Sequence, residues 1–165
     1  MIRFKSYIEE EIKYRDSKPD AEHNEVHTQL DAHKVIEKEE PKHKWPDHVV
    51  KQLKHLSNKK NFVSAMKKSK TTYVHHTDKD LDKINNSDVW DKKGIKGSEY
   101  IDKAKKDRVS KQFEKAKKDK NFSIEKPIIL HHKETGFKHL LAGNTRLTAG
   151  VHDHKDKVPV HTIEY

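Results

Sequence analysis

Three apolar runs near the end of the chain limit what it can fold into. They are PIIL at 127–130, LLA at 140–142 and VPV at 158–160, and polar or turn-forming residues bound each one. Such runs are typical of short, buried β-strands. A hairpin turn is expected around Gly136, and the β-branched and aromatic residues of TTYVHH at 71–76 predict one more strand. The sequence therefore predicts a small sheet in its second half.

Apolar residues recur at helical spacing in much of the remaining chain. The segments with this spacing are 3–15, 21–40, two stretches after PKHKWP that include Leu53 and Phe62, and 99–118. Asp47 is expected to cap the first helix after PKHKWP. Helices of this number, together with a small sheet, predict an α+β protein.

A short helix is also predicted between the strand at 71–76 and the helix at 99–118. Thr77 and Asp80 match a capping box, and Leu81 and Ile84 follow at helical spacing. With this helix included, we expect two parts. The first is a basic helical region at 1–70, and the second is a domain at 71–165 with a small mixed sheet and flanking helices.

The composition favours a small core and an anionic partner. Charged residues make up 38% of the 165 residues and hydrophobic residues only 31%, so little apolar surface is available for burial. Lys and Arg number 36 against 27 Asp and Glu, which gives a net charge of +9. This surplus predicts binding to a polyanion, most simply nucleic acid. Because lysines alternate with acids, a face that only keeps the protein soluble is the alternative.

Some functions and locations are excluded by what the sequence lacks. There is no cysteine, so disulfides, thiolate zinc sites and thiol nucleophiles are ruled out. No apolar run approaches the roughly 20 residues that span a bilayer, and the N-terminus lacks the apolar segment of a secretory signal. We therefore expect no membrane partner and a location in the cytoplasm.

The segment LLAGNTRLTAG at 140–150 carries the clearest chemistry in the chain. Gly143 permits a tight turn and a close ligand approach, and the N–H groups at a helix start favour an anion. Arg146 adds a guanidinium that binds phosphate oxygens in a bidentate manner. The predicted phosphate-binding residues are Gly143, Asn144, Thr145 and Arg146. An ordinary strand-to-helix turn, in which Asn144 and Thr145 only cap the helix, is the alternative.

The end of the chain resembles the ParB and sulfiredoxin superfamily. PIIL is similar to the first strand of such domains, LLAGNTRLTAG to their G-x-x-R turn, and VPVHTIEY to their closing strand. The resemblance covers 107–165 specifically and 71–106 loosely. Sulfiredoxins carry their nucleophilic cysteine where this chain has Asn144, which excludes that activity. ParB partition proteins carry an acid there and continue into further DNA-binding elements, so a DNA clamp is not expected.

The resemblance implies phosphate chemistry at the turn. Members of the superfamily include ParB-like nucleases and proteins that bind or hydrolyse nucleotides or transfer phosphate. The resemblance thus implies a nucleic-acid-associated protein or a metal-assisted nuclease. In that case Asn144 and Arg146 are the candidate catalytic residues, and Mg²⁺ or Mn²⁺ is the metal. The alternatives are a kinase or nucleoside triphosphatase that uses ATP or CTP, and a non-enzymatic phage protein that binds DNA or a host factor.

Histidines near the turn are candidate metal ligands. His152, Asp153 and His154 follow it, and imidazole and carboxylate groups suit zinc or manganese. In a chain with 14 histidines, solvent-exposed side chains are the alternative. An acid for hydrolysis is expected from Asp153, Glu134 or the segment 71–90.

The N-terminus MIRFKSYIEEE resembles the packaging tags of proteins carried inside tailed-phage heads. Ile8, Glu9 and Glu10 fit the site at which a head protease cuts such tags. This resemblance implies a phage source, with the protein in the host cytoplasm or packaged in the head. An ordinary amphipathic helix is the alternative explanation of the same residues.

Overall fold

A five-stranded mixed sheet with helices on both faces organises the chain. The computed structural model describes residues 12–86 and 103–165. The strands are β1 (Tyr14–Arg15), β2 (Lys70–Val74), β3 (Ile84–Asn86), β4 (Ile124–Glu125), β5 (Ile128–His131), β6 (Lys138–Ala142) and β7 (Val158–Glu164). The helices are α1 (Pro19–Glu39), α2 (Asp47–Leu56), α3 (Lys59–Lys68), α4 (Lys103–Lys118) and α5 (Asn144–Thr148). Short 3₁₀ turns occupy Pro41–His43 and Leu81–Lys83, and α5 continues as a π-helical turn, Ala149–Asp153.

The strands of the main sheet follow the order β2, β7, β5, β6, β3. The pairs β2 with β7 and β5 with β6 are antiparallel, whereas β5 with β7 and β3 with β6 are parallel. Ile128 of β5 lies opposite Ala142 on one side and His161 on the other. The predicted mixture of helices and a small mixed sheet is therefore confirmed, with the last strand in the interior of the sheet.

The first three helices cover one face of the sheet. Side chains alternate between faces along a strand, so Ile128 and Leu130 point to this face and Ile129 to the other. The cluster on this face joins helix residues Val26, Ile36, Trp45, Val49, Leu53, Leu56, Phe62 and Met66 to sheet residues Ile128, Leu130, Leu141, Ala142 and Ile163. The helices before residue 70 therefore share a hydrophobic core with the strands after it.

The other face of the sheet packs against α5, its π-helical continuation and the 3₁₀ turn at Leu81–Lys83. The buried residues of this cluster are Val74, Leu81, Ile84, Ile129, Leu140, Leu147, Val151, Val158 and Val160. Helix α4 adds Val109, Phe113 and Ala116, which pack with Ile124 and Ala149 in an adjoining cluster. An added Cβ at Gly150 would lie 2.6 Å from Cγ2 of Val158, so close packing requires glycine there.

Two predicted helices differ in the structure. Of the predicted helix at 3–15, residues 3–11 lie outside the described residues, and Tyr14–Arg15 form strand β1, which pairs in parallel with β4. Lys13 and Arg15 accept backbone hydrogen bonds from Ile124 and Lys126 at 2.9 and 3.0 Å. Backbone pairing with β4 therefore outweighs the helical spacing of the side chains. The short helix predicted around Leu81 is a 3₁₀ turn that leads into strand β3.

Two predicted caps also differ. Pro46 occupies the N-cap position of α2, and Asp47 is the first residue inside the helix, without a side-chain cap bond. The predicted capping box is replaced by a turn, since Asp78 accepts a hydrogen bond from the backbone N–H of His75 at 2.9 Å. At the start of α2, the N–H of Val49 donates to the carbonyl of Pro46 at 3.0 Å. Of the helix predicted at 99–118, residues 99–102 lie outside the described residues.

Within residues 12–86 and 103–165, no helix is both long and apolar enough to cross a membrane.

Candidate functional site

Gly143 allows the turn between β6 and α5 to lie close to Pro127 and Arg146. Its φ of 86° and ψ of 29° lie in the left-handed region, which favours glycine. A Cβ built on Gly143 would lie 2.9 Å from Cβ of Pro127 and 3.0 Å from Nη2 of Arg146. Both the backbone conformation and the space therefore require glycine here. The missing side chain lets the guanidinium of Arg146 approach the main chain.

Helix α5 begins immediately after this glycine, as the sequence predicted. Gly143 is the N-cap residue, and its carbonyl accepts the first helical bond, from the N–H of Leu147 at 2.8 Å. Asn144 and Thr145 therefore lie inside the helix and are not its N-cap. Oγ1 of Thr148 donates to Oδ1 of Asn144 at 3.4 Å. The turn thus brings Gly143, Asn144, Thr145 and Arg146 together at one helix start, where main-chain N–H groups favour an anion.

Two nitrogens of Arg146 are buried beside this turn. Nε and Nη2 are shielded from solvent, and neither has a hydrogen-bond partner within the described part of the chain. A buried donor without a partner costs free energy, and a guanidinium without an acceptor costs more than a neutral group. Arg146 therefore holds two donors in a position where an oxygen acceptor, such as a phosphate oxygen, would satisfy them.

Glu22 lies near Arg146, and Glu125 lies near Glu22. Burial raises the pKa of Glu22 to about 7, the charge of Arg146 opposes that rise, and the charge and hydrogen bond of Glu125 add to it. Glu125 also accepts a hydrogen bond from the backbone N–H of Lys18 at 3.3 Å. The site therefore places Glu22, with a pKa raised to about 7, beside the partly buried guanidinium of Arg146.

Glu22 was not among the residues predicted from the sequence to form the site. A signal is present in α1, because Glu22 precedes Val26 by four residues and so lies on the buried stripe of the helix. Gln29 continues the same stripe, and both polar residues are buried. Polar residues on an apolar stripe indicate partners elsewhere in the fold. Only the three-dimensional structure shows that the partners of Glu22 are Arg146 and Glu125.

The segment before α1 is fastened to the sheet beside the turn. Ser17 donates its backbone N–H to Nε2 of His161 at 3.0 Å and its hydroxyl to the carbonyl of Lys126 at 2.5 Å. The ammonium group of Lys126 lies 2.7 Å from the carboxylate of Asp16. These contacts hold α1, and with it Glu22, in place near Arg146.

The predicted metal ligands lie in the π-helical turn and the residue after it. The ring of His154 stacks on Phe113 with centroids 4.7 Å apart, and burial lowers the pKa of His154. Among residues 12–86 and 103–165, no three His, Asp or Glu side chains come together in a way that suits a metal ion. The assignment of His152, Asp153 and His154 as metal ligands stays a prediction.

Two of the acids predicted to assist hydrolysis are Asp153 and Glu134. Asp153 is exposed, and Glu134 lies in the turn that connects β5 to β6. That turn is at the opposite end of β6 from Gly143, and a five-residue strand spans roughly 17 Å. Glu134 therefore lies far from Gly143 along β6. Glu22 and Glu125 are the carboxyl groups whose charges act on Arg146 or on each other.

Comparisons of the whole chain with protein-family models, curated proteins and solved structures found no match. The likeness to the ParB and sulfiredoxin superfamily therefore depends on the quoted motifs alone.

Proposed function

We propose that this is a nucleic-acid-associated protein whose turn at Gly143–Arg146 binds a phosphate group, either of a nucleotide or of a nucleic-acid backbone. One observation carries the proposal, namely the two buried donors of Arg146 that have no partner in the described part of the chain. A phosphate offers several acceptor oxygens to a guanidinium and to the N–H groups of a helix start.

The charge of the chain supports a nucleic acid as the source of that phosphate. The net charge is +9, and the exposed lysines of α4 include Lys103, Lys111 and Lys118. Lysines that contact phosphates position a protein on nucleic acid without reading its sequence. The same excess of positive charge also favours a nucleoside triphosphate, such as ATP or CTP, as the ligand of the turn.

A metal-assisted nuclease is the enzymatic form of the proposal. Mg²⁺ is commonly held by one or two carboxylates together with phosphate oxygens of the substrate. Glu22, on which the charge of Arg146 acts, and its neighbour Glu125 would offer such carboxylates once ionised. In this form Asn144 and Arg146 would contact the substrate phosphate, and a bound metal would supply charge neutralisation and a more acidic water.

The cellular location of the protein is part of the same proposal. We place the protein in the cytoplasm of a host cell, and packaging in a phage head depends on the tag-like sequence MIRFKSYIEEE. Those residues lie outside the described part of the chain.

Titration of the full chain with inorganic phosphate, ATP, CTP and a short DNA duplex tests the proposal. Arg146→Ala should weaken binding of the favoured ligand about ten- to hundredfold, because it removes a charge-assisted contact worth roughly 1.5–3 kcal/mol. Arg146→Lys should restore charge without bidentate geometry and bind with intermediate affinity. Arg108→Ala is the matched control, since Arg108 is an exposed arginine of α4. Unchanged affinity in Arg146→Ala would contradict the proposal.

The same proteins distinguish the enzymatic forms. A nuclease degrades DNA when Mg²⁺ or Mn²⁺ is added, a kinase or triphosphatase releases ADP or phosphate from nucleotide, and a pure binder only shifts DNA in a gel. In each case activity should fall in Arg146→Ala and persist in Arg108→Ala.

A further inference from the structure

A cleft of about 1050 Å³ opens between the segment before α1, strand β2 and the loop before β7. Its walls include Lys13, Tyr14, Tyr73, Asp156 and Lys157. A cleft of this size holds a ligand of several rings, such as one or more nucleotides. The Gly143–Arg146 turn does not line it, so it is a second candidate for ligand binding.

The walls of the cleft are strongly basic. Lysines at 13, 117, 126 and 157 line it, and Asp156 is the acid among the lining residues. Lys126 is paired with Asp16 and Lys117 with Glu114. Within the described residues, Lys13 and Lys157 have no ion pair. Two cations are therefore available to an anionic ligand that enters the cleft.

Tyr73 presents an aromatic ring at the same cleft. Its exposed fraction is 57%, which is high for a large apolar side chain, and it lies on β2, an edge strand of the sheet. The ammonium group of Lys157 lies 4.9 Å from the centre of its ring. An exposed ring beside a cation offers a nucleobase a stacking surface and offers the attached phosphate a counter-charge.

A partly buried hydrogen bond holds the loop that carries Lys157. The hydroxyl of Tyr14 donates to Oδ2 of Asp156 at 2.6 Å, and burial holds the pKa of Tyr14 well above its usual range. Asp156 thereby fixes the loop that carries Lys157. The ring of His154 in the same loop stacks on Phe113. The cationic and aromatic groups thus stand on fixed elements, which lowers the entropic cost of binding.

We propose that this cleft binds single-stranded nucleic acid, with a base stacked on Tyr73 and backbone phosphates held by Lys13 and Lys157. A duplex keeps its bases paired and stacked, so it cannot present a base to Tyr73 without opening. The inference goes beyond the phosphate turn, because none of its contacts uses Gly143 or Arg146.

The test measures binding of a labelled oligothymidylate of about ten nucleotides to the full chain by fluorescence anisotropy, a length within the range that one binding fold covers. Tyr73→Ala should weaken binding about five- to hundredfold, while Tyr73→Phe, which keeps the ring, should bind nearly as the parent does. Lys157→Ala should weaken binding and lower the salt slope by about 0.7. A duplex of the same length should bind less tightly than the single strand.

Two control variants match these changes. Val35→Ala removes another exposed apolar side chain, and Lys51→Ala removes an exposed lysine of α2. Neither residue lines the cleft, so both variants should bind oligothymidylate as the parent does. Equal losses in Lys51→Ala and Lys157→Ala would mean that diffuse charge attracts the strand, and would overturn the inference.

Arg146→Ala separates this inference from the proposed function. Loss of binding in Tyr73→Ala supports the cleft, whether or not Arg146→Ala also loses affinity. Loss in Arg146→Ala with full binding in Tyr73→Ala would place the strand at the turn and overturn the cleft. The melting temperatures of Tyr73→Ala and Lys157→Ala should stay near that of the parent, since both residues are exposed.

Discussion

The guanidinium of Arg146 lies against Gly143, so close that a Cβ on Gly143 would be 3.0 Å from Nη2. The position of the cation therefore depends on the absence of a side chain three residues earlier. Pro127 bounds the same space from the other side, with its Cβ 2.9 Å from the position of the added atom.

Gly143→Ala should displace Arg146 and lower stability. Left-handed backbone costs an alanine roughly 1–2 kcal/mol, and the contact with Pro127 adds to that cost. Gly136→Ala is the matched control, because Gly136 has a φ of 73° but nothing within 4 Å of an added Cβ. Chemical unfolding should show a larger loss for Gly143→Ala than for Gly136→Ala. Equal losses would mean that the residues around Gly143 move to accommodate a Cβ at little cost in stability.

Phosphate binding at the turn should weaken as pH rises through about 7. Burial raises the pKa of Glu22 to about 7, so deprotonation above that pH adds negative charge near the ligand and near Glu125. A dinucleoside monophosphate is the right probe, because its phosphodiester keeps one charge between about pH 6 and 8. Glu22→Gln should bind it with the same affinity across this range. A parent protein without pH dependence would contradict the assignment of Glu22 to the site.

Acidification should destabilise the fold through His139. This residue is fully buried, its Nε2 lies 3.1 Å from Oε1 of Gln29, and burial lowers its pKa to about 4. In the unfolded chain the imidazole of His139 takes up a proton near pH 6.5, whereas in the folded chain it does so only near pH 4. The contribution of His139 to the free energy of unfolding is therefore fully present above about pH 6.5 and is lost as the pH falls to about 4. The loss from His139 is roughly 3 kcal/mol.

A double variant isolates this contribution. His139→Phe with Gln29→Leu removes the titrating ring together with its partner, so no polar group is left buried alone. Between about pH 6.5 and 4, its free energy of unfolding should fall less steeply than that of the parent. Burial also lowers the pKa of His48 and His161, so some slope should remain. An unchanged slope would show that protonation of His139 does not lower the free energy of unfolding.

A fragment of residues 68–165 should not fold alone. The sequence predicted a separate unit after about residue 70, but removal of α1–α3 exposes Ile128, Leu130, Leu141 and Ile163 to water. Circular dichroism and thermal melting of this fragment should show no cooperative transition, and addition of a 12–67 fragment should restore one. Cooperative melting of 68–165 alone would support the predicted boundary.

Local patterns were enough to predict the strands and the turn. The apolar runs PIIL, LLA and VPV coincide with β5, β6 and β7, and the helix start after Gly143 lies where the glycine placed it. Each of these features depends on residues close together in the sequence, and neighbouring residues decide strand length and turn geometry.

Contacts between distant residues could not be predicted in the same way. Pairing of Tyr14 with Ile124, and the approach of Glu22 to Arg146, join parts of the chain more than a hundred residues apart. No spacing rule connects such positions. The helical spacing at 3–15 was outweighed at Tyr14–Arg15 because β4 offers hydrogen bonds that the side-chain pattern does not reveal.

The interior position of β7 has a consequence for synthesis. Because Val158–Glu164 lie between β2 and β5, the sheet cannot close until residue 164 has left the ribosome. Until then, β2 and β5 lack the strand that joins them, and the apolar faces of α1–α3 lack part of the surface that they cover. At a rate of about 5–20 residues per second, the nascent chain spends several seconds in that open state, where chaperones have access to it.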